Sequence, residues 1–208
     1  METLFDCAQK YKSDKCIAFG HNYLPGYQSL FGDVRSQVKV LLEIGIGNRH
    51  HEAAMQNQCP EYRCGNSLRM WREYFSNAKI YSIDIAPDCM IEGENRIQTF
   101  VANQASETDL STVLMHIGEK IDVIIDDGSH QPFHQAASFE FLYKNLNKNG
   151  IYVIEDVHPT ALSGFVDLSR FSSQTATIIR QEFDTQVIDS RWLGGPVDDL
   201  MFVLKKKN

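Results

Sequence analysis

Short, almost wholly apolar runs that each stop at an acid or a glycine constrain this chain most. Val38–Ile44 stops at Gly45, Lys79–Ile85 carries Asp84 at its end, Ile121–Ile125 stops at Asp126, and Ile151–Ile154 stops at Glu155 and Asp156. Runs of four to eight apolar residues bounded by such breakers are buried strands rather than helices. Amphipathic stretches lie between them, with Leu68, Trp71, Arg72 and Phe75 at helical spacing behind Asn66 or Ser67 as amino-terminal cap, then helices near 106–117 and 132–146, the last stopped by Asn149–Gly150. A further strand is read near 96–102, a helix over 175–183, and two late strands over 185–188 and 200–204. Strand and helix in alternation imply a doubly wound α/β fold, a mostly parallel sheet with helices on both faces. No repeat, linker or low-complexity segment interrupts the 208 residues, so one domain over 1–208 is expected.

In such folds ligands bind at the carboxyl ends of the strands. The first end reads Glu43-Ile-Gly45-Ile-Gly47, where two glycines let backbone approach a ligand closely. A dinucleotide fingerprint needs a third glycine, and His50 stands in its place, which argues against a dehydrogenase. Asp84 lies about forty residues on, against the usual ~20, an excess attributed to an inserted loop over 48–65; its carboxylate is a candidate for ribose hydroxyls. The richest cluster divides between two strand ends, Asp126-Asp-Gly-Ser-His130 and Glu155-Asp156. Three carboxylates suit a hard octahedral ion such as Mg2+. Strand residues alternate faces, so one of Asp126 and Asp127 ligates, and Glu155 and Asp156 share an ion only if the strand has already broken into loop. His130 is the candidate general base of this acidic end; the other six histidines read as structural.

Composition sets outer bounds. A net charge of −7 disfavours a nucleic-acid partner, and no apolar stretch approaches the ~18 residues of a membrane span. The acidic start, with Glu2 and Asp6, is unlike a secretion signal, so a cytoplasmic location is expected. Five cysteines are an odd number for a disulfide framework. Cys59 and Cys64 follow His50 and His51 at a spacing that fits no common zinc pattern, so reduced loop thiols are the expectation.

Taken together, Glu43–Gly47, Asn66–Trp71, Ile80–Asp84, Ile124–His130 and Gly150–Asp156 resemble the class I S-adenosylmethionine-dependent methyltransferases. Within that class they are most similar to the metal-dependent sugar O-methyltransferases of the mycinamicin and tetracenomycin type, over Tyr11 to about Asp156. The resemblance implies a Rossmann-like methyltransferase sheet, Mg2+ on Asp127, Glu155 and Asp156, and His130 as base. It implies that S-adenosylmethionine meets Glu43, Gly45 and Gly47 through its methionine part, Asp84 through the ribose and Gln104 near the adenine, with Ser67 and Asp126 as further contacts. Residues 1–37, with the run Tyr11-Lys-Ser-Asp-Lys15, would close over the cofactor, and Ser13 would touch it. The implied activity is methylation of a hydroxyl on a sugar or glycoside, a deoxyhexose such as rhamnose being one case. Two alternatives stand beside it: a phenolic or catechol acceptor, and a non-catalytic cofactor-binding partner of a glycosyltransferase. The implied partner is a small-molecule or glycan acceptor, with neither nucleic acid nor membrane, and a homo-oligomer is compatible with it.

Overall fold

The strand runs are apolar on both sides because helices cover both faces of the sheet. In the computed structural model, which describes residues 2–208, helices α1 (Leu4–Tyr11) and α2 (Leu24–Phe31) precede strand β1 (Val40–Ile44). Then come α3 (Arg49–Gln56), α4 (Asn66–Tyr74), β2 (Lys79–Asp84), β3 (Ile97–Val101), α5 (Glu107–Ile117), β4 (Ile121–Asp126), α6 (Pro132–Leu142) and β5 (Leu146–Ile154). The chain continues through α7 (Pro159–Val166), α8 (Ser173–Glu182), β6 (Phe183–Asp189) and β7 (Leu200–Lys206). Strand order is β3-β2-β1-β4-β5-β7-β6. The first five strands are parallel, and β7 runs antiparallel between β5 and β6. Order reverses between β1 and β4, which is where a ligand crevice opens in a sheet of this kind.

Alternation along β1 divides the core in two. Val40, Leu42 and Ile44 join residues of α5, α6, α7 and α8 on one face, while Leu41 joins α1, α2 and α4 on the other. Aromatic contacts dock the amino-terminal helices: Tyr27 meets Trp71 edge-on at 5.0 Å between centroids, and Phe31 meets Phe75 at 5.3 Å. Trp71 is wholly buried, so its truncation to Ala would cost about 3–5 kcal/mol.

Three local expectations need correction. The 48–65 segment is not a plain loop; Asn48 accepts a hydrogen bond from His51 N and starts α3. Neither Asn66 nor Ser67 caps α4, whose cap is Gly65 in the left-handed region, because the Ser67 hydroxyl is turned to Glu43 instead. Asn149–Gly150 does not stop a helix. Helix α6 ends at Leu142, and β5 starts at Leu146, where burial against Ile121 outweighs helical continuation. Asn149 takes φ 60° within a register shift, a bulge conformation that asparagine tolerates. Among the described residues no helix is long and apolar enough to cross a membrane.

Candidate active site

The carboxyl ends of β1, β2, β4 and β5 surround a cavity of about 440 Å3, a size suited to a small-molecule ligand. Gly45 (φ 102°) sits where β1 and β4 part; a Cβ there would press into the Asp127 carbonyl, so only glycine permits the approach. The glycine turn is held by Asp84. Its Oδ2 accepts from Ile46 N at 2.8 Å and Gly47 N at 3.1 Å, and its Oδ1 from Ala86 N at 2.9 Å. Oδ1, with one donor, keeps lone-pair capacity; Asp84 lines the cavity beside Gly45, Gly47, Ser67 and Gln104.

Behind the wall lies a buried polar network. Gln104 Nε2 donates to Asp126 Oδ1 and Ser138 Oγ, while Gln104 Oε1 accepts from Ser129 N at 2.7 Å. Asp126 Oδ2 accepts from Ser138 Oγ at 2.7 Å and Tyr152 OH at 3.3 Å. Asp126, read as a cofactor contact, is fully buried and does not line the cavity: alternation along β4 turns it inward, where it fixes Gln104.

Asp127, the next residue, faces the cavity, and the backbone then turns sharply at two non-glycine residues. His130 holds φ 55° and Asp156 φ 50°, both in the left-handed region that costs an L-residue roughly 1–2 kcal/mol. Strand β5 has ended at Ile154, so Glu155 and Asp156 lie in the loop beyond it. His130 Nε2 comes 3.1 Å from Asp127 Oδ1 and 3.2 Å from Asp156 Oδ2. Ligand atoms from these three residues, two carboxylate oxygens and one imidazole nitrogen, lie within 4.8 Å of one another, a convergence that can hold one cation; Glu155 stands outside this group, its oxygens engaged by Lys15 and Tyr27.

Burial disfavours the His130 imidazolium, yet the hydrogen bond and charge of Asp127, with Asp156 and Asp126, raise its pKa to about 9. Asp156 is raised to about 6, by burial and then by Asp127. Burial also works against the charge of Asp127, but Lys15 and His130 overcome it and hold this carboxyl well below the usual carboxylate range.

Sequence reasoning missed the centre of the cluster. Lys15, 1% exposed, places Nζ 2.9 Å from Asp127 Oδ2, 2.5 Å from Glu155 Oε2 and 3.1 Å from Glu43 Oε1. Glu43 is buried beneath the cavity, not on its surface; its Oε2 accepts from Ser67 Oγ, and burial raises its pKa to about 7 against the pull of Lys15. Glu155 lines the cavity, with Oε2 on Lys15 and Oε1 accepting from Tyr27 OH. Ser13, also read as a cofactor contact, is wholly buried and off the cavity, its Oγ accepting from Lys15 N, while Asp14 and Lys15 line the wall.

Asp156 has further company from the amino-terminal segment. Tyr23 OH donates to Asp156 Oδ1 at 2.6 Å, and His21, stacked on the Tyr23 ring, pairs through Nδ1 with the buried Asp199 at 2.6 Å. The Tyr11–Lys15 run was the only sequence signal toward this group; His21, Tyr23, Tyr27 and Asp199 carried none. The reduced-thiol expectation fails at one pair, since Cys64 and Cys89 are disulfide-bonded across 25 residues, and with Cys64 so engaged no Cys59–Cys64 zinc site forms.

No family model matches the chain. It is 36% identical over 145 residues to the 8-demethyl-8-alpha-L-rhamnosyl tetracenomycin-C 2'-O-methyltransferase of Streptomyces olivaceus, covering 70% of this chain and 35% of that protein. It is 35% identical over 162 residues to the mycinamicin VI 2''-O-methyltransferase of Micromonospora griseorubida, covering 78% of this chain and 38% of that one. Among solved structures, the MycE methyltransferase of the mycinamycin biosynthetic pathway, in complex with Mg, SAH and mycinamycin VI, aligns at a TM-score of 0.73 and 26% identity. That alignment covers 100% of this chain and 55% of the MycE chain. The chain thus spans a little over a third of the length of these two curated relatives.

Proposed function

The chain is a homologue of sugar O-methyltransferases and has the Rossmann-like methyltransferase fold, and from that premise we propose that it transfers a methyl group from S-adenosylmethionine to a hydroxyl of a sugar or glycoside. The observation that carries the reading is the meeting of Asp127 Oδ1 and Asp156 Oδ2 at His130 Nε2, in a cavity shared with the glycine turn and Asp84. It is supported by the complexes of MycE, which hold Mg and SAH.

The Gly45–Gly47 turn would hold the methionine part of the cofactor and Asp84 the ribose, accepting from a hydroxyl at the Oδ1 lone pair that its loop contact leaves free. Asp127, Glu155 and Asp156 would hold Mg2+, which when bound supplies Lewis-acid polarisation of an acceptor hydroxyl. His130, at 43% side-chain exposure the most open member of the cluster, would take the hydroxyl proton at Nε2 as the methyl group arrives; beside uncompensated acids its pKa is about 9 and the ring is protonated near neutral pH, so it serves as base only once the charge of Asp127 and Asp156 is taken up. Its left-handed backbone aims the ring at the acids, and Asp127 fixes the ring's orientation. Residues of the 2–37 segment, Lys15, His21 and Tyr23 among them, would form the wall over the site and keep water from the sulfonium.

The test is calorimetric titration with S-adenosylhomocysteine and separately with NAD, followed by methyl transfer to a rhamnoside with and without chelator. Saturable binding of the homocysteine product, none of NAD, and turnover lost on chelation are expected. Binding of NAD alone would return the glycine turn to a dehydrogenase reading, and turnover indifferent to chelation would remove the metal from the mechanism.

A further inference from the structure

Lys15 is an odd occupant for the floor of a cation site. It belongs to no strand, arriving from the turn between α1 and α2, and all three of its closest acidic partners stand at the ends of different strands, β1, β4 and β5. Asp127 Oδ2 and Glu155 Oε2 are each within 2.9 Å of its Nζ. Its backbone is pinned as firmly as its side chain, with Lys15 O accepting from Tyr23 N and Lys15 N donating to Ser13 Oγ.

A buried ion pair alone gives little net stability over apolar packing. This cluster is moreover unbalanced, with Glu43, Asp127, Glu155 and Asp156 around one lysine and two histidines. The lysine takes one oxygen from each of Asp127 and Glu155 and leaves Asp127 Oδ1 and Asp156 Oδ2 turned to the other side, toward His130. An ammonium fixed beside two carboxylates lowers the attraction those carboxylates exert on a second cation.

We propose that Lys15 is a positioning residue that acts as the resident cation of the cluster, holding Asp127 and Glu155 in place and keeping divalent-ion affinity low. The inference rests on the magnesium reading given above. Its consequence is that the site favours a divalent ion arriving with further oxygen ligands, such as acceptor hydroxyls, over the bare ion. A purely structural lysine would have no such effect: its loss would loosen the fold and weaken every ligand.

Mn2+ is the probe, titrated into the full chain and followed by electron paramagnetic resonance of the free ion, with thermal unfolding measured alongside. Lys15→Met is expected to bind Mn2+ at least about tenfold more tightly than wild type, and to gain more thermal stability from the ion than wild type does. Should Lys15→Met not fold, the Lys15→Met/Glu43→Gln double variant removes one charge of each sign, and it is compared with Glu43→Gln alone; the double variant is expected to bind more tightly. Equal or weaker binding without Lys15 overturns the inference. Binding by the lysine-free variant but not by wild type supports it in its strongest form, a native site closed to the bare ion. Binding by neither overturns both.

Discussion

Lys15 Nζ lies 2.5 Å from Glu155 Oε2, both groups closed to solvent, and this contact ties the turn after α1 to the end of β5. Removing one member of a buried pair leaves the other charge uncompensated. Lys15→Ala, unfolded by urea without added divalent ion, is therefore expected to lose about 3–5 kcal/mol. A loss below about 1 kcal/mol, the size of a surface pair, would show that the contact is solvated in solution.

His130 touches the candidate reaction centre without lying among the residues that seat the nucleoside. His130→Ala should lower turnover by about 10²- to 10⁴-fold while leaving affinity for S-adenosylhomocysteine unchanged. Full turnover in the variant would take the base role away from this residue.

Glu43 gives the stability of the protein a defined pH slope. Burial raises its pKa from 4.5 to about 7 in the folded state, so folding favours its protonated form. The contribution is fully present below 4.5 and is lost as pH rises through about 7. Glu43→Gln should flatten the fall in Tm across that interval. A slope identical to wild type would place the titration elsewhere.

The Cys64–Cys89 bond joins the residue before the cap of α4 to the turn after β2. Closing a loop of 25 residues constrains the unfolded chain by about 3 kcal/mol. Reductant should lower the urea midpoint accordingly, and the Cys64→Ser/Cys89→Ser variant should start from the lower value and ignore reductant. A native protein insensitive to reductant would contradict the bond.

The sheet was legible because its strands are short, apolar and closed by acids or glycines, a local pattern read from a few neighbours at a time. Asp84, Asp127, His130 and Asp156 fell out of the same pattern, since parallel strands bring their carboxyl ends together. The inward turn of Asp126 and Ser13 was not legible, because face alternation and burial decide what meets the cavity. Lys15 was hidden for a different reason: nothing near it in the chain is a carboxylate that it binds. The Asn149 bulge and the Gly65 cap likewise depend on packing partners distant in sequence.

The contacts of Lys15 span 112 residues to Asp127 and 140 to Glu155. Joining such distant segments requires closing a long loop that repays nothing until the far partner is in place. Strands β1, β4 and β5 are neighbours in the sheet and bring Glu43, Asp127 and Glu155 together as they pair. Glu43 itself lies 84 residues from Asp127 and 112 from Glu155, so the acids and their lysine are gathered over loops of similar length. Wherever the acids meet before Lys15 is seated, protons or a metal ion are the charges that can offset their repulsion, and acidity and divalent salt then have a hold on how fast this site is completed.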